Sequence, residues 1–511
     1  MFKIKNALIS VSDKSNLELL APFFEKHKIK IYSSDGTAKY LNKINSNLDV
    51  TEISKFTDFP EILDGRVKTL HPMIHGGILA KRSNRKHIAD CKKNNISFFD
   101  LVIVNLYPFE QSIDNNESVK SCIENIDIGG PTLIRSAAKN FENVLVIVSK
   151  SQIVSLIKIL QENKEINLKI RRNFAKEAFK YTAYYESIIS NWFNEEDDSY
   201  FSHDVALPMK KIRDLRYGEN PHQKASVFKF GKNNLNQLSG KEMSFNNIND
   251  IDVAASLAFE LNNSSCVIVK HGNPCGVAVS DSQSKSYKLA FATDPVSAFG
   301  GIVAFNENLN IKTAKKILKN FTEVVVAPKI SKSVREILIR KKNLILIEYK
   351  KNREKIKNYE LKTSQNFLMV QERNSKKILK KDLAFVTKEK PNSNEIDDML
   401  FGSIVCKFVN SNAVVLVEKK KVIGIGVGQT NRIQAAKHAI KKGLKKVKNV
   451  KNVVLVSDGF FPFPDIIDLC KKVSLRLIVQ PGGSIRDKEI IQRADKEKIK
   501  MVFTGIRNFK H

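Results

Sequence analysis

The sequence predicts an α/β protein made of two parts. Short apolar strands at Ala7–Val11 and Ile29–Tyr32 are each followed by a stretch in which apolar residues recur with the period of a helix. Strands that alternate with helices through short turns form a parallel sheet with helices on its faces. The segment Asn194–Pro208 interrupts this pattern with an acidic cluster, few large aliphatic residues and a closing proline. We therefore expect one domain at 1–199 and a second part at 200–511.

The later elements of the first part support the same sheet. Phe99–Leu106 and Val144–Val148 are near-continuous apolar runs, which are typical of strands covered on both faces. Between them, Gly129-Gly130-Pro131 begins a helix that extends through Lys139, with proline in its first turn. The first part is therefore predicted to be a parallel sheet covered by helices.

The second part carries further strand signals separated by helices. Ala413–Val427 is typical of a hairpin, with a lysine-rich turn at Glu418–Lys421. The length is sufficient for two α/β layers side by side, although no internal sequence repeat is detectable. The other predicted strands are Cys266–Val269, Gly301–Phe305, Glu323–Ala327, Leu344–Ile347, Val453–Val456, Leu477–Val479 and Met501–Thr504.

The composition favours a protein that remains in the reducing compartment where it is made. No run of about 18 apolar residues predicts a membrane span, and the N-terminus lacks the features of a secretory signal. The six cysteines are scattered without a CxxC pair, as expected of reduced thiols. We therefore expect a cytoplasmic protein with no membrane partner.

The most unusual bulk property is charge. The 85 basic and 54 acidic residues give a formal net charge of +31, which would concentrate anionic ligands near the protein. The lysines are spread over predicted helix faces, so solvated faces together with small anionic substrates explain the excess. A dedicated surface for a polyanion, such as a nucleic acid, is the alternative.

Two turns at the ends of the first two strands predict an anion site. They span Ser10–Lys14 and Ser33–Thr37, and each supplies hydroxyls before a helix. The free amides and dipole of a helix N-terminus favour phosphate, and ligands of open α/β sheets bind where strands end. Ordinary helix capping is the alternative interpretation of either turn alone. The candidate phosphate-binding residues are Ser10, Ser12, Lys14, Ser34, Gly36 and Thr37.

A second group of polar residues follows in the same part. In the loop Gly65–Pro72, Arg66 and Lys68 project to one side of an extended chain, where they could hold an anion or simply be solvated. His71 and His75 have the spacing of a helical metal pair, but Pro72 is expected to break the helix, so we expect no zinc there.

Three further positions are predicted to converge on one cleft. Tyr107 closes a buried strand, Asp127 opens the next helix and Lys139 ends it. Asn105, Gly129 and Gly130 flank these positions, and Thr69 lies beside Lys68.

In the second part, Lys270-His271 follows a buried strand. A lysine beside a histidine in a turn suits proton transfer and oxyanion stabilisation, whereas a plain surface turn is the alternative. Arg216-Tyr217 could hold a second phosphate or form an ordinary turn. Cys275 follows Pro274 as in zinc deaminases, but Ala278 stands where the second cysteine would be, so we expect no zinc.

Several motifs occur in order along the chain and carry a family resemblance. SVSDK, GRVKTLHP, NLYPF, DIGGPTLIRSAAKN, RYGENPHQ, VKHGNPCG and FFPF resemble the bifunctional AICAR transformylase/IMP cyclohydrolase family of purine synthesis. The resemblance extends from Ser10 to the end of the chain. It implies an N-terminal domain of the methylglyoxal-synthase type, a C-terminal part of two tandem cytidine-deaminase-like halves, and an intertwined homodimer. One departure is Asp35, which replaces a usual glycine and would disfavour phosphate unless it points away.

The resemblance also implies two reactions. In the C-terminal part, the amine of AICAR would attack the formyl carbon of the co-substrate 10-formyltetrahydrofolate, with His271 as base, Lys270 stabilising the oxyanion or protonating the departing nitrogen, and Asn412 contacting the reacting groups. In the N-terminal part, formyl-AICAR would close its ring to IMP, with catalysis by Lys68, Tyr107, Asp127 and Lys139. Further candidate substrate contacts are Arg66, Thr69, Asn105, Gly129, Gly130, Arg216, Tyr217, Asn247, Gly300, Glu323, Phe461 and Arg507.

Two other functions remain as alternatives at this point. A zinc-type nucleobase deaminase would fit the partial Pro-Cys motif, and a basic nucleic-acid-binding protein would fit the charge. Most phenylalanines lie within apolar periodic runs, which is typical of core rather than of a nucleic-acid surface. A bound monovalent cation is left open by the sequence.

Overall fold

The computed structural model describes residues 2–162, 164–194, 204–230, 235–350, 359–447 and 449–511. The chain divides into two compact units, Met1–Lys210 and Lys211–His511. The predicted boundary at residue 199 lies outside the described residues. Within the described residues, no helix is both long and apolar enough to cross a membrane.

The first unit is built on a five-stranded parallel sheet with the order β3-β2-β1-β4-β5. Its strands are β1 (Asn6–Val11), β2 (Lys30–Ser33), β3 (Val50–Glu52), β4 (Leu101–Asn105) and β5 (Leu145–Ile147). The parallel sheet predicted from the alternation of strands and helices is confirmed. Successive residues of β1 alternate between two cores, with Ala7 and Ile9 in one and Leu8 in the other, because helices cover both faces.

Ten helices are described in this unit. They are α1 (Ala21–Lys26), α2 (Asp35–Ile44), α3 (Ile53–Thr57), α4 (Pro72–Leu79), α5 (Arg85–Lys93), α6 (Phe109–Asp114), α7 (Val119–Glu124), α8 (Gly129–Lys139), α9 (Lys150–Gln161) and α10 (Leu168–Asn194). The predicted helix from Gly129 through Lys139 corresponds to α8. A short 3₁₀ helix at Leu17–Leu19 precedes α1, and together they bury the predicted apolar face.

The second unit contains a mixed 12-stranded sheet with the order β16-β21-β20-β19-β17-β18-β10-β9-β11-β12-β13-β8. Two small two-stranded sheets, β6–β7 and the antiparallel pair β14–β15, are separate from it. The strands are β6 (Met209–Asp214), β7 (Ser226–Phe230), β8 (Leu235–Ser239), β9 (Ser264–Lys270), β10 (Asn273–Ser280), β11 (Ile302–Phe305), β12 (Val324–Ala327), β13 (Ile345–Tyr349), β14 (Tyr359–Ser364), β15 (Phe367–Glu372), β16 (Ala384–Phe385), β17 (Val414–Glu418), β18 (Lys421–Gly426), β19 (Val454–Ser457), β20 (Leu477–Gln480) and β21 (Lys500–Phe503).

Helices pack on this sheet between the strands. They are α11 (Phe245–Glu260), α12 (Gln283–Thr293), α13 (Pro295–Ala298), α14 (Ile311–Ile317), α15 (Lys332–Leu338), α16 (Ser393–Cys406), α17 (Arg432–Gly443), α18 (Asp465–Lys472) and α19 (Asp487–Lys496). Short 3₁₀ helices lie at Lys380–Asp382, Leu444–Lys446 and Val450–Asn452.

The large sheet consists of two halves with the same topology. From the centre outwards, one half runs β10, β9, β11, β12, β13 and β8, and the other runs β18, β17, β19, β20, β21 and β16. The halves meet where Ala278 of β10 pairs antiparallel with Lys421 of β18. The predicted hairpin at 413–427 is confirmed as β17–β18. The likeness of each half to a cytidine deaminase stays a prediction.

The two halves therefore repeat one topology without a detectable repeat in their sequences. The two halves share residue identity mainly at positions where close packing requires a particular residue. A Cβ added to Gly276 would lie 2.1 Å from the carbonyl oxygen of Ala290, and one added to Gly424 would lie 2.3 Å from that of Ala439. Both glycines let a helix approach a hairpin strand closely, and isolated glycines at such spacing carry too little signal to reveal a repeat.

Candidate active site

The two predicted phosphate turns meet at the carboxyl ends of β1 and β2. The Ser10 hydroxyl donates to Ser34 Oγ at 3.2 Å, and Ser34 donates to Thr37 Oγ1 at 3.3 Å. The backbone N–H of Val11 also donates to Thr37 Oγ1, at 3.3 Å. Ser34 is the N-cap residue of α2, yet its side chain makes no capping bond. The three hydroxyls therefore form a hydrogen-bonded cluster at the N-terminus of the ten-residue helix α2, and a helix N-terminus favours a bound anion.

Asn105 shapes this edge from the end of β4. Its Oδ1 accepts hydrogen bonds from the N–H groups of Ser12 (2.7 Å) and Asp13 (3.0 Å), and its Nδ2 donates to the Asp13 carbonyl at 2.6 Å. Asp13 also forms an ion pair with Lys150 at 2.7 Å, and hydrogen bonding to that lysine lowers the pKa of Asp13 to about 2. Asn105 thus holds the shape of the first turn.

The charge of Asp35 is directed along the helix surface. Its carboxylate lies 2.9 Å from Nζ of Lys39, one helical turn further on, and half of its side-chain surface is exposed. No atom lies within 4 Å of a Cβ added to the adjacent Gly36, so this position is open to a ligand. This geometry is compatible with a bound phosphate, because the Asp35 carboxylate is paired with Lys39 along the helix.

A second polar cluster joins three of the predicted catalytic residues. Nζ of Lys68 donates to the Tyr107 hydroxyl at 3.1 Å. Burial lowers the pKa of Lys68, but the Tyr107 hydroxyl and the charges of Glu61 and Asp127 act in the opposite direction, and the resulting pKa is raised. Burial also raises the pKa of the Asp127 carboxyl, against hydrogen bonds from the backbones of Gly130 and Tyr107. The raised pKa of Asp127 suits proton transfer, whereas the raised pKa of Lys68 keeps that side chain a cation that can stabilise negative charge.

Glycines allow the three segments of this cluster to approach closely. A Cβ added to Gly129 would lie 2.5 Å from Oγ1 of Thr69, and one added to Gly130 would lie 2.6 Å from Oδ2 of Asp127. The N–H of Gly130 donates to Oδ1 of Asp127 at 2.8 Å. The loop that carries Lys68, the end of β4 and the start of α8 are therefore packed together.

Two predicted residues of this unit are placed differently. The Arg66 guanidinium is exposed and paired with Glu124. Lys139 is exposed at the far end of the 11-residue helix α8, about 15 Å from its start at 1.5 Å per residue. The N–H of Leu145, shortly after α8, bonds the Asp100 carbonyl at the amino end of β4. The fold of a single chain therefore does not bring Lys139 to Lys68, and its role stays a prediction.

The prediction that Pro72 breaks the helix between His71 and His75 is wrong. Pro72 does not break a helix here but is the first residue of α4, where its missing N–H costs nothing. Nδ1 of His71 caps the helix by accepting from the N–H of Met73 at 3.2 Å, and Nδ1 of His75 lies 3.2 Å from Oγ of Ser136. Among the described residues, no cluster of three or more His, Cys, Asp or Glu side chains could hold a metal ion.

In the second unit, Lys270 and His271 lie at a tight hairpin turn between β9 and β10. Nζ of Lys270 donates to the Phe299 carbonyl at 2.7 Å, and a Cβ added to Gly300 would lie 3.8 Å from that same nitrogen. Gly300 has a φ of +71°, which glycine tolerates without strain. Glu323 lies at the amino end of β12 and pairs with Lys241 at 2.9 Å. Lys270 is thus held in place by the backbone before β11.

Asn412 belongs to a buried polar network. Nη2 of Arg432 donates to Oδ1 of Asn412 at 2.7 Å, and Nη1 bonds Ser457 Oγ at 2.8 Å and pairs with Asp458. The N–H of Asn410 donates to Oδ1 of Asn273 at 3.0 Å, beside the His271 turn. Asn412 and the predicted base therefore lie at the same edge of the sheet.

The C-terminal segment closes this edge. The N–H of Ser411 donates to the Lys510 carbonyl at 2.8 Å, and that of Asn508 donates to the Asp458 carbonyl at 2.9 Å. The Arg507 guanidinium lies 4.5 Å from the ring centre of Phe509. Arg507 therefore lies in the segment that packs beside the Asn412 network, and its contact with substrate stays a prediction.

Phe461 does not offer its ring to a ligand. It is fully buried in the core of the second half, and its N–H donates to Oε1 of Gln480 at 2.9 Å. Its neighbours Phe460 and Phe463 are 39% and 50% exposed. An aromatic contact from this turn must therefore come from these two residues. The FFPF motif alone does not indicate which of its phenylalanine rings face solvent.

Three other predicted contacts have structural partners. Both Arg216 and Tyr217 belong to one loop, where the guanidinium lies over the Tyr217 ring at 4.7 Å and bonds its hydroxyl at 2.9 Å. Asn247 is buried and forms a reciprocal capping box with Ser244 at the start of α11. The N–H of Phe245 bonds the Tyr217 carbonyl at 3.4 Å, which links the loop to this helix.

The thiol of Cys275 is unsuited to metal binding. Burial raises its pKa to about 12, and its Sγ donates to the Ile268 carbonyl at 3.5 Å. A metal ligand must be a thiolate.

Arg432 and Asp458 are not among the site residues predicted from the sequence. Each follows a strand of the second half at its carboxyl end, which is the position that identified the other candidates. They form an ion pair with each other although they are 26 residues apart, and a single sequence does not reveal such a contact.

Comparison with known proteins places the whole chain. The family model for the AICARFT/IMPCHase bienzyme matches residues 137–442, and the model for the MGS-like domain matches residues 16–132. Proteins described as bifunctional purine biosynthesis protein PurH are 44% identical to this chain in Persephonella marina, Clostridium perfringens and Fusobacterium nucleatum. Each similarity covers 99% of this chain and 100% of the relative.

Proposed function

The chain belongs to the AICARFT/IMPCHase bienzyme family, and we propose that each of its two compact units carries one of the two family reactions. It is a bifunctional enzyme of purine biosynthesis that acts as AICAR formyltransferase and IMP cyclohydrolase. We assign one reaction to each unit because the two clusters of candidate catalytic residues lie in different units. Lys68, Tyr107 and Asp127 lie before residue 210, whereas Lys270, His271 and Asn412 lie after it.

Formyl transfer is proposed to occur at the edge that holds the His271 turn. The 5-amino group of AICAR attacks the formyl carbon of 10-formyltetrahydrofolate, the bond from that carbon to N10 breaks, and N10 leaves with a proton. The amine is conjugated and weakly nucleophilic, so His271 accepts its proton as the new bond forms. Lys270, held by the Phe299 carbonyl, is placed to stabilise the oxyanion or to protonate N10.

Ring closure is proposed to occur in the first unit. The carboxamide nitrogen of formyl-AICAR attacks the formyl carbon, and the resulting hydroxyl leaves as water. The hydroxyl group of Ser10, Ser34 and Thr37 would anchor the phosphate, so that much of the acceleration comes from orientation. Lys68 donates to Tyr107 beside the raised-pKa Asp127, an arrangement suited to moving the protons of this step.

A homodimer is proposed on the basis of exposed apolar surface. Three successive residues of β15, Phe367, Leu368 and Met369, are 75%, 47% and 49% exposed. Because successive side chains of a strand alternate, Phe367 and Met369 lie on one face and Leu368 on the other, so both faces of the β14–β15 hairpin expose apolar side chains that another chain could cover. Sedimentation analysis should give twice the chain mass, and a monomer at micromolar concentration would contradict this part of the proposal.

The alternatives are not favoured. A zinc deaminase lacks support because partial burial raises the pKa of the Cys275 thiol to about 12, so that it stays protonated. A nucleic-acid-binding role is not needed, since the substrates themselves are anionic.

One assay tests the proposed function. The full chain supplied with AICAR and 10-formyltetrahydrofolate should produce IMP, with formyl-AICAR as a transient. Absence of IMP, with formyl-AICAR also not consumed when supplied directly, would contradict it.

A further inference from the structure

The turn that carries His271 has an unusual backbone. It joins β9 to β10 through two central residues, between the paired Lys270 and Asn273. Both central residues, His271 and Gly272, have left-handed φ angles of 53° and 71°. A two-residue turn of this kind normally takes Asn-Gly or Gly-Gly, because residues other than glycine seldom adopt positive φ, although histidine tolerates it better than most. The site therefore depends on a conformation that His271 does not prefer.

A buried carboxylate holds this turn. Asp250 lies in the second turn of α11, is only 9% exposed, and accepts a hydrogen bond from the N–H of Gly272 at 2.6 Å. It also accepts a hydrogen bond from the N–H of His271. These two amides have no partner in the hairpin ladder, so Asp250 satisfies both donors of the left-handed pair. No part of the proposed mechanism uses Asp250.

The second half of the sheet contains the same device without the histidine. The hairpin turn between β17 and β18 has Lys419 and Lys420 at its centre, both with φ of 52°. Asp398, in the second turn of α16 and 7% exposed, accepts from both of their N–H groups at 2.6 Å. Two turns of different sequence thus have the same left-handed backbone and the same contact with a buried aspartate. This indicates that the aspartate, rather than the turn residues, sets the backbone conformation of the turn.

We propose that Asp250 is a positioning residue for formyl transfer, which fixes the His271 imidazole by clamping the backbone of the His271-Gly272 turn. This inference rests on the proposed role of His271 as base. Asp398 performs the same clamping at a turn that carries no proposed catalytic group. The two aspartates therefore separate the structural effect of the clamp from its effect on catalysis.

The paired variants Asp250→Asn and Asp398→Asn provide the test. The amide keeps the shape of the carboxylate but turns one of the two acceptors into a donor, which then faces a backbone N–H. A displacement of about 1 Å at a reacting group costs about 10²-fold in rate, so we expect Asp250→Asn to lower kcat for formyl transfer by about that factor. The KM values for AICAR and 10-formyltetrahydrofolate should change by less than about threefold, because substrate contacts remain.

The matched variant should behave differently. Asp398→Asn should lower the urea midpoint of unfolding about as much as Asp250→Asn does, yet leave kcat for formyl transfer within about twofold of wild type. Cyclisation of added formyl-AICAR should be unchanged in both. Equal losses of kcat in the two variants would overturn the inference, because the clamp would then serve stability alone. A raised KM with unchanged kcat in Asp250→Asn would also overturn it.

His271→Ala, measured in parallel, separates this inference from the proposed function. If His271→Ala retains full formyl transfer, the proposed base is wrong. If His271→Ala is inactive but Asp250→Asn is fully active, only the positioning role is wrong. Should Asp250→Asn not accumulate as folded protein, Asp250→Glu, which keeps two acceptor oxygens, replaces it. Failure of both to fold would assign Asp250 to folding and overturn its positioning role.

Discussion

Nη2 of Arg432 donates a hydrogen bond of 2.7 Å to Oδ1 of Asn412, while Nη1 of the same guanidinium pairs with the fully buried Asp458. Arg432 therefore links the predicted reacting-group contact to an anion that water does not reach. A guanidinium can serve both partners at once because its donors lie in a fixed planar fork. The identity of this side chain should matter to both stability and formyl transfer.

Arg432→Met tests this link. Removing one partner of a buried ion pair leaves the other charge uncompensated, so we expect the second unit to lose about 3–5 kcal/mol of stability, measured by urea unfolding. Formyl transfer should fall as Asn412 loses its partner, and cyclisation should persist. The control is Arg486→Met, since Arg486 lies over the exposed Phe463 ring at 4.8 Å and should contribute little. Equal stability of the two variants would contradict the role of Arg432.

His75 gives the first unit a predicted pH dependence. Burial lowers the pKa of this histidine, and its Nε2 is buried without a hydrogen-bond partner. A group whose folded pKa is depressed below its unfolded value near 6.5 stabilises the fold above that value and loses this contribution as the pH falls through the folded pKa. We expect the unfolding midpoint of the first unit to decrease from pH 7.5 to pH 5, below the ordinary histidine value.

The variant His75→Gln should flatten that decrease, because glutamine does not ionise. The exposed His27 supplies the control, and His27→Gln should retain the wild-type pH profile. Urea unfolding at a series of pH values measures both. An identical slope in His75→Gln and wild type would show that other groups set the acid sensitivity.

Cys275 should be chemically inert. With its pKa raised to about 12 by burial, the thiol should react slowly with disulfide reagents at pH 8, and Cys275→Ala should retain formyl transfer within about threefold. Purified enzyme should contain no stoichiometric zinc and should survive dialysis against a chelator. Loss of activity on chelation, with recovery on adding zinc, would contradict the prediction that Cys275 does not belong to a zinc site.

Much of both sites could be predicted from where apolar runs end. Ser10, Ser34 and Thr37 follow parallel strands, and the carboxyl ends of such strands share one edge, so their meeting follows from the strand pattern. Tyr107 and Asp127 were predicted to converge on one cleft, whereas Lys68, which donates a hydrogen bond to Tyr107, was assigned to this group only by the family resemblance.

Other features depend on the third dimension and leave little trace in one sequence. Asp250 and Asp398 lie within helices and resemble ordinary exposed acids until the turns they clamp are seen. Phe461 is buried whereas Phe460 is exposed, a difference set by the path of the turn. Lys139 ends the 11-residue helix α8, whose first residues pack against Asp127 and Thr69, so the length of a helix separates residues that are close in the motif.

The last prediction concerns the division of labour between the units. His271→Ala should lower formyl transfer by about 10²–10⁴-fold, the usual contribution of positioned proton transfer, and should leave cyclisation of added formyl-AICAR near wild type. Lys68→Ala should do the opposite, because it removes the donor to Tyr107 and one charge that acts on Asp127. Formyl-AICAR should then accumulate when the full reaction is run from AICAR.

An indirect effect must be separated from a direct one. Ring closure drains the product of formyl transfer, so Lys68→Ala should also slow the overall consumption of AICAR. Adding the His271→Ala enzyme, whose first unit is intact, should restore IMP formation by the Lys68→Ala enzyme, since formyl-AICAR can be passed between molecules. The assay follows AICAR, formyl-AICAR and IMP chromatographically. If His271→Ala abolishes cyclisation in folded protein, or if the mixed enzymes fail to produce IMP, the two clusters do not serve separate reactions.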